Sequence, residues 1–333
     1  MEDKNDPDNK EEEYHESITD PNEIKLLEDF KHSIATITDK KDKAVLDPFV
    51  LLNNDFLICF LRARKLNVNK ATRMLLDYYH WKVKINLDDL YSNYVLKVKF
   101  QLQLLFPHGF HKYTKDGNPI YFQIMGKLNP DELFKIGTPE DFIKYSIQLN
   151  EAMERSYFRL CSKIKKKYVH GVFNIIDFRD IKTTSLLNKK LITYLKESFR
   201  IMQDYFPECL AGCYVLNAGF AFRTFYSAVK IFLDSKTREK VRVFGDNYVE
   251  GLLEKVDSDC LPTFFGGTCQ CPEGCLFSNA GPWKKEEKEE IPEDILKRRE
   301  ELTNYMLSGI KNKTDNEEKI KNDGKEGVNP DHL

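Results

Sequence analysis

The sequence predicts an α/β protein, with a small helical N-terminal lobe followed by a mostly parallel sheet whose strands alternate with helices. Three observations carry this. Apolar residues recur at helical spacing between residues 22 and 96. From about residue 106, short β-branched and aromatic runs alternate with helical stripes, the pattern of βαβ units. The 333 residues are 41% hydrophobic and 12% aromatic, with 23 Phe and 16 Tyr, which is globular composition and enough chain for one large or two ordinary domains.

Taken in order, residues 22–37 read as a helix, with Ile24, Leu27, Phe30, Ile34 and Ile37 on one stripe. Asp39 to Lys43 reads as a charged linker. Asn54 then caps an apolar run that ends in Arg62, Arg64 and Lys65, and cations suit a helix C-terminus. Residues 70–85 predict another helix, through Ala71, Met74, Leu75, Tyr78, Trp81 and Ile85. Lys115 to Pro119 is a turn before the strand Ile120–Ile124. Thr138-Pro139-Glu140-Asp141 is a helix start, with Thr as cap and Pro at the first position, and that helix runs toward Cys161. Val169 to Ile176 reads as a buried strand closing on Asp177. A helix over Ser185–Tyr205 stops at Phe206-Pro207. Cys213–Leu216 and Val241–Phe244 read as strands, with a helix over Phe222–Leu233 between them. Residues 284–310 read as a charged surface helix, and 1–20 and 311–333 as disordered ends. The domain boundaries follow: an acidic, partly disordered extension over 1–45, a helical lobe over 46–96, an α/β domain over 97–283, and a charged helix and tail over 284–333.

The formal net charge is -2, but it is unevenly spread. Residues 1–20 hold nine acids and two bases, and residues 284–333 hold fourteen acids and eleven bases. That leaves +8 for residues 21–283, a basic body between acidic ends. Such a body suits an anionic partner: nucleic acid, membrane surface or small ligand. The acidic N-terminus has no apolar signal segment, and no run reaches the ~20 apolar residues that span a bilayer. Glu2 excludes myristoylation, and the C-terminal Asp331-His332-Leu333 carries no prenylation box. The expectation is a cytoplasmic protein with reduced thiols, touching membranes only peripherally.

Much chemistry is absent. There is no phosphate-binding G-x-x-x-x-G-K-[ST] loop, no G-x-G-x-x-G and no G-x-S-x-G elbow. His108 and His111 read as turn residues before a strand. Four thiols within sixteen residues, Cys260, Cys269, Cys271 and Cys275, could hold zinc, but they lack paired C-x-x-C knuckles, so ordinary loop cysteines are the preferred reading and a metal site the minority one. Asp177, with no glycine-rich loop before it, reads as a structural strand-end residue rather than a ribose ligand. The expectation is therefore a binding module, not an enzyme, with no catalytic residue, metal or cofactor.

Two sets of motifs carry a resemblance. Phe60-Leu61-Arg62-Ala63-Arg64-Lys65, followed by Ala71, Met74, Leu75 and Trp81, is similar to the N-terminal helical signature of the CRAL-TRIO superfamily. A second series runs Asp116–Tyr121, Ile176-Asp177, Tyr205–Glu208, Asn217-Ala218, Phe232–Asp234, Leu261-Pro262, Phe265–Gly267 and Gly281–Trp283. From about residue 50 to 283 the chain resembles the Sec-fourteen-like phosphatidylinositol-transfer proteins. The resemblance implies a five-stranded, mainly parallel sheet flooring an apolar pocket for one phospholipid, closed by a gating helix. It implies a gate stripe of Phe222, Phe225, Tyr226, Val229, Phe232 and Leu233, which could equally be a helix facing the core.

Asp234, Thr237 and Lys240 recur at three-residue intervals, so in a helix they share one side. Asp234 would cap it, while Thr237 and Lys240 would offer a hydroxyl and an ammonium to a phosphate. The family's phosphatidylinositol signature maps onto Arg64, Lys65, Glu208, Thr237 and Lys240; surface caps and salt bridges are the plainer use of such residues. Val172 and Asn174 stand where relatives that carry phosphatidylcholine have hydroxyl residues, which puts that second cargo in doubt, although tyrosines can hold choline by cation–π contact. The implied protein is a monomeric, non-enzymatic phosphatidylinositol carrier that docks on anionic membranes, Golgi or endosomal, and binds no nucleic acid. The competing expectations are a scaffold presenting lipid for phosphoinositide synthesis and a binder of another small hydrophobic ligand.

Overall fold

The structure, a computed structural model, describes residues 14–272, 274–284 and 291–323; the side chains of 220, 221, 224, 228, 229 and 309–323 lie outside that description. Most of the acidic N-terminus and the last ten residues of the expected tail, 1–13 and 324–333, are therefore outside the described residues.

The N-terminal lobe is built from α1 (Pro21–Ala35), α2 (Lys40–Val45), α3 (Asn54–Ala63) and α4 (Val68–Lys84). Each starts on a side-chain cap: Asp20, Asp39, Asn53 and Asn67 accept from first-turn amides. Leu27, Phe30 and Ile34 of α1 meet Leu57, Phe60 and Leu61 of α3 and Ala71, Met74 and Leu75 of α4 in one core. Segment 39–43, expected to be a linker, corrects to the start of α2. Asp39 caps it, and His80 Nε2 lies 2.7 Å from Asp42 Oδ1, holding it to α4. Residues 14–20 are irregular and are held to the lobe: His15 Nδ1 lies 2.8 Å from Asp55 Oδ2, Glu16 N donates to Asp55 Oδ1 at 2.9 Å, and Ile18 packs on its core.

α5 (Leu87–Asn93) and α6 (Lys99–Leu105) lead into the sheet. Among the described residues its strands are β1 (His108–Tyr113), β2 (Pro119–Ile124), β3 (Val172–Asp177), β4 (Leu210–Leu216) and β5 (Val241–Val243). Their order in the sheet is their order in the chain, antiparallel between β1 and β2 and parallel thereafter. His108 and His111, expected in a turn, lie on β1 and are buried. The strand is short and carries a bulge, which hides its alternation in the sequence.

The crossover from β2 to β3 holds α7 (Pro130–Ile136), α8 (Pro139–Ala152) and α9 (Phe158–Lys165), with one π turn, Met153–Tyr157, joining the last two. Thr138 and Asp141 cap α8 reciprocally, as its sequence predicts. β3 starts later than its apolar run, at Val172, because Gly171 takes φ +92° and the strand cannot extend back through it. The next crossover splits at Asn188, which caps α11 (Lys189–Tyr205) after the single turn α10 (Thr183–Leu186). α12 (Phe220–Val229) and α13 (Ser235–Glu239) connect β4 to β5.

Parallel crossovers are right-handed, so a strand order that never reverses puts every crossover on one face. The other face must be covered by something else, and the C-terminal segment does it. α14 (Val249–Lys255), the loop from Cys260 to Leu276 and Met306 of α15 (Glu293–Asp323) pack on Ile120, Phe122, Ile124, Phe173, Ile175, Tyr214 and Leu216. α15 is thus docked, not only a surface helix: Ile295 and Met306 are buried, and Arg179 Nη1 donates to Met306 O at 3.2 Å. Its backbone stays helical to Asp323, past the predicted end, on a run rich in good helix formers.

Candidate functional site

Alternation on the strands splits the sheet into two unlike faces. Phe173 and Ile175 are 4% and 0% exposed on the C-terminal side. On the crossover side, Tyr121, Gln123, Asn174 and Ile176 keep accessible surface although helices span them. Tyr121 and Tyr194 sharpen the point: burial pushes both hydroxyls above their usual pKa, well above for Tyr121, yet neither ring is fully covered. Around them pack Phe134 on α7, Tyr145 on α8, Tyr194, Leu195 and Phe199 on α11, and Phe222 and Phe225 on α12.

The predicted gate stripe falls on α12 and the turn after it. Phe222 and Phe225 are buried against Phe178, with ring centroids 4.9 and 5.9 Å away, and Tyr226 lies 5.4 Å from Phe222. Tyr226 and Phe232 pack half-buried on the same cluster, and Leu233 is half-buried beside them. The Val229 side chain is outside the described residues. Ile231, next to this stripe, is 74% exposed.

Beyond α12 lies a polar cluster. Asp234 caps α13 as expected: its carboxylate accepts from Thr237 N at 3.0 Å and from Thr237 Oγ1 at 2.6 Å. Burial would raise the Asp234 pKa, but these bonds outweigh it and hold the carboxyl below its usual range. The Thr237 hydroxyl therefore already donates within the cap. Lys240 turns the other way: its Nζ donates to Leu210 O at 2.6 Å and lies 3.6 Å from Glu208 Oε2. Glu208 sits at φ +61° between Pro207 and Cys209. Its other oxygen is 3.2 Å from Lys236 Nζ, which also donates to the Arg62 carbonyl at 3.0 Å.

Of the five predicted headgroup residues, Glu208 and Lys240 are thus in contact, with Thr237 on the adjoining turn. Arg64 stands at the end of α3, its guanidinium donating to Ala63 O at 3.3 Å, and Lys65 is exposed at φ +54° just beyond it. Lys236 is the residue sequence reasoning missed. It lies in none of the matched motifs, and only the fold carries it to Glu208 and to the end of α3. Two ammoniums, Lys236 and Lys240, thus converge on the Glu208 carboxylate, with the Asp234 carboxylate on the adjoining cap.

A separate cleft of ≈ 1160 Å³ runs between the helical lobe and the α/β body. Tyr78 and Tyr79 line one wall, Glu154, His170, Tyr205 and Pro207 another. Glu154, on the π turn, lies 3.3 Å from His170 Nε2 and accepts from Cys209 Sγ at 2.7 Å. The cleft shares no lining residue with the inner sheet face.

Asp177, the other polar residue at a strand end, is fully buried. It accepts from Arg179 Nε at 2.5 Å and Asn217 Nδ2 at 2.6 Å, which leaves it no access to a ribose. A strand order that never reverses also lacks the switch-point crevice where open α/β sheets bind nucleotides.

A helical lobe on a five-stranded, mainly parallel sheet with helices around it defines a class: the Sec14-like α/β fold. The crystal structure of Sfh5 shares that fold, with TM-score 0.55 at 18% identity over 69% of this chain and 82% of that one. The CRAL/TRIO domain pattern matches residues 106–267. The chain is 33% identical over 236 residues to the Sec14 cytosolic factor of Schizosaccharomyces pombe, covering 71% of this chain and 82% of that protein. It is 34% identical over 241 residues to the phosphatidylinositol/phosphatidylcholine transfer protein SFH11 of Arabidopsis thaliana, covering 71% of this chain and 64% of that one. With SFH9 of the same plant it shares 31% over 278 residues but spans only 46% of that protein's length. The chain belongs to the CRAL/TRIO family. No helix among the described residues is long and apolar enough to cross a membrane.

Proposed function

We propose that this protein binds one phospholipid, phosphatidylinositol first among its cargoes, and carries it between membranes without making or breaking a covalent bond. The observation that supports this best is the inner face of the sheet, where Tyr121, Gln123, Asn174 and Ile176 keep accessible surface under an aromatic-lined α12; in this reading it is the cargo space. Acyl chains fit such a space: burying them from water is worth ~0.8 kcal/mol per CH₂, which keeps the cargo from escaping in transit. Relatives named as phosphatidylinositol/phosphatidylcholine transfer proteins support the same reading.

In this reading α12 is the gate, and exposed Ile231 beside it meets the bilayer when the gate opens. The cluster around Glu208 and Lys240 receives the headgroup. Lys240, Lys236, Arg64 and Lys65 supply cations for the phosphate, and Glu208 and Thr237 supply polar partners for inositol hydroxyls. The basic body docks the monomer on an anionic cytoplasmic surface, where each nearby Lys or Arg contributes ~1 kcal/mol. Phosphatidylcholine is the second cargo to test, since Asn174 on the inner face keeps its buried Oδ1 without a partner.

The test is mass spectrometry of lipids that co-purify with the protein, followed by transfer of labelled phosphatidylinositol between vesicles. Phosphatidylinositol in the extract and transfer above the spontaneous rate support the reading. An extract holding only a sterol or another small apolar molecule, with no phospholipid transfer, overturns it.

A further inference from the structure

On the sealed face of the sheet, away from the proposed cargo space, four ligand-type side chains converge. His111 comes from β1, and Cys269, Cys271 and Cys275 come from the loop that follows Phe265-Gly266-Gly267. Three sulfurs and one imidazole nitrogen all lie within 4.8 Å of one another. The Cys269 and Cys271 sulfurs are 3.9 Å apart. A tetrahedral zinc with bonds of about 2.3 Å to sulfur needs its sulfurs about 3.8 Å apart.

The histidine supplies the independent observation. His111 is 0% exposed, and its Nε2 is a buried polar atom with no hydrogen-bond partner. A buried ring nitrogen left unpaired is costly and needs an explanation. Its other nitrogen, Nδ1, lies 3.1 Å from Ser278 Oγ, and that hydroxyl donates to Cys275 O at 3.3 Å. With the Ser278 proton committed to the carbonyl, the ring must donate from Nδ1 to Oγ. That leaves a lone pair on Nε2, the tautomer a metal takes, and an outer hydrogen bond of this kind is what orients metal-binding histidines. The sulfurs are prepared as well: Cys271 N donates toward Cys275 Sγ at 3.4 Å. Three thiolates around a divalent ion leave one negative charge. The ammonium of Lys112, next to His111 on β1, donates to Asp259 O at 2.5 Å and is a nearby positive charge.

We propose that His111, Cys269, Cys271 and Cys275 form a structural zinc site that fastens the C-terminal covering loop to β1. Thiolate and imidazole donors in this number select zinc among the common divalent ions. Four protein ligands leave no open position, so the site holds structure and performs no catalysis. The loop spacing alone conceals it, because the fourth ligand comes from a strand far upstream.

The test uses the full chain purified without chelator. Elemental analysis should find about one zinc per chain, the stoichiometry of a closed four-ligand site. Replacement by cobalt should give the visible bands of a tetrahedral thiolate complex in the parental protein, a readout that does not depend on any variant folding. Cys271→Ser and Cys275→Ser should each lose at least nine-tenths of the zinc. Cys260→Ser, buried in the same core but outside the cluster, should keep it. Zinc absent both as purified and after incubation with excess zinc would overturn the proposal. So would another metal in its place, a disulfide among the three cysteines, or full zinc retention in both ligand variants.

Discussion

Phe173 and Ile175 on β3 pack against a wall of aromatic and aliphatic side chains, while Asn174 and Ile176, their immediate neighbours, keep some accessible surface under the crossover helices. The two faces differ because they are covered by different kinds of chain. Crossover helices must span from strand end to strand end, so they arch over the sheet. The C-terminal segment has no such duty and can settle directly on the strands. One face thus carries stability and the other carries volume. The sharpest test is a pair of truncations. Phe122→Ala removes a fully buried ring that meets Phe264 and Phe265 edge-on at 6.0 and 6.1 Å. It should cost about 3–5 kcal/mol in denaturant unfolding. Ile176→Ala, on the opposite face, should cost less than half of that, because its lost contacts are fewer. Equal losses would mean that the inner face is as tightly packed as the outer one.

A second test moves from volume to charge. Lys240→Ala removes an ammonium that bridges Leu210 O and Glu208 at the edge of the open face. Charge-assisted bonds of this kind are worth about 1.5–3 kcal/mol. If Lys240 makes such a bond to the lipid phosphate, phosphatidylinositol transfer should fall on the order of 10- to 100-fold when assayed well below the unfolding midpoint, which the lost bonds to Leu210 and Glu208 should also lower. Transfer at the parental rate would remove Lys240 from the headgroup site. Phe122→Ala tests the converse when assayed below its own midpoint, where transfer should persist.

How legible this contrast is in the sequence depends on the range of the interaction. Caps and helical stripes are local, so Thr138-Pro139-Glu140-Asp141 and the stripe from Ala71 to Trp81 announce their helices directly. β1 is different: six residues with a bulge give too little alternation to see, and His108 and His111 pass for turn residues. The α2 segment looks like a linker because its cap and its partner His80 are charged or polar rather than apolar. Lys236 and the third arm of each cluster depend on chain crossings that no spacing reveals. Of the proposed headgroup residues, Thr237 and Lys240 also stand out by spacing, while Arg64, Lys65 and Glu208 are reachable only as motif positions; that Glu208 meets Lys240, and that Thr237 already serves Asp234, are facts of the fold.

The lobe–body cleft gives a smaller, pH-dependent effect. Burial pulls the His170 pKa down, but the Glu154 carboxylate pulls it up harder, and the net shift is above 6.5. Glu154 moves the opposite way: burial raises it, and His170 and Cys209 more than offset that, leaving it below 4.5. A raised histidine stabilises fully below its unfolded pKa and loses that contribution as pH rises through the folded value. A lowered carboxylate stabilises above its unfolded pKa and loses it as pH falls through the folded value. The pair therefore helps most between 4.5 and 6.5. His170→Gln should reduce stability there by on the order of 1 kcal/mol, the scale of one hydrogen bond, and flatten the decline that sets in as pH rises past 6.5. An unchanged slope in pH-dependent unfolding would show that the pair is not coupled to folding. Neither face of the sheet should respond.

The smallest effect concerns the acidic ends. If they screen the basic body from anionic membranes, their removal should tighten docking of the open face. The two ends are not equivalent, however. Deleting 284–333 would take away Ile295 and Met306, which are buried, Met306 in the cover of the sealed face, so that variant would report on folding. Residues 14–18 are pinned as well, since Glu16 reaches Arg62 at 3.7 Å. Residues 1–13 can be removed without touching any described contact. They hold seven acids and two bases, and charges in solvent act through a screening length of about 8 Å at physiological salt. The truncated chain should bind phosphatidylserine-containing vesicles a few-fold more tightly at low salt, with the difference vanishing as salt rises. Unchanged binding would mean that the acidic segment does not shield the basic face, and weaker binding would mean that it contributes to docking.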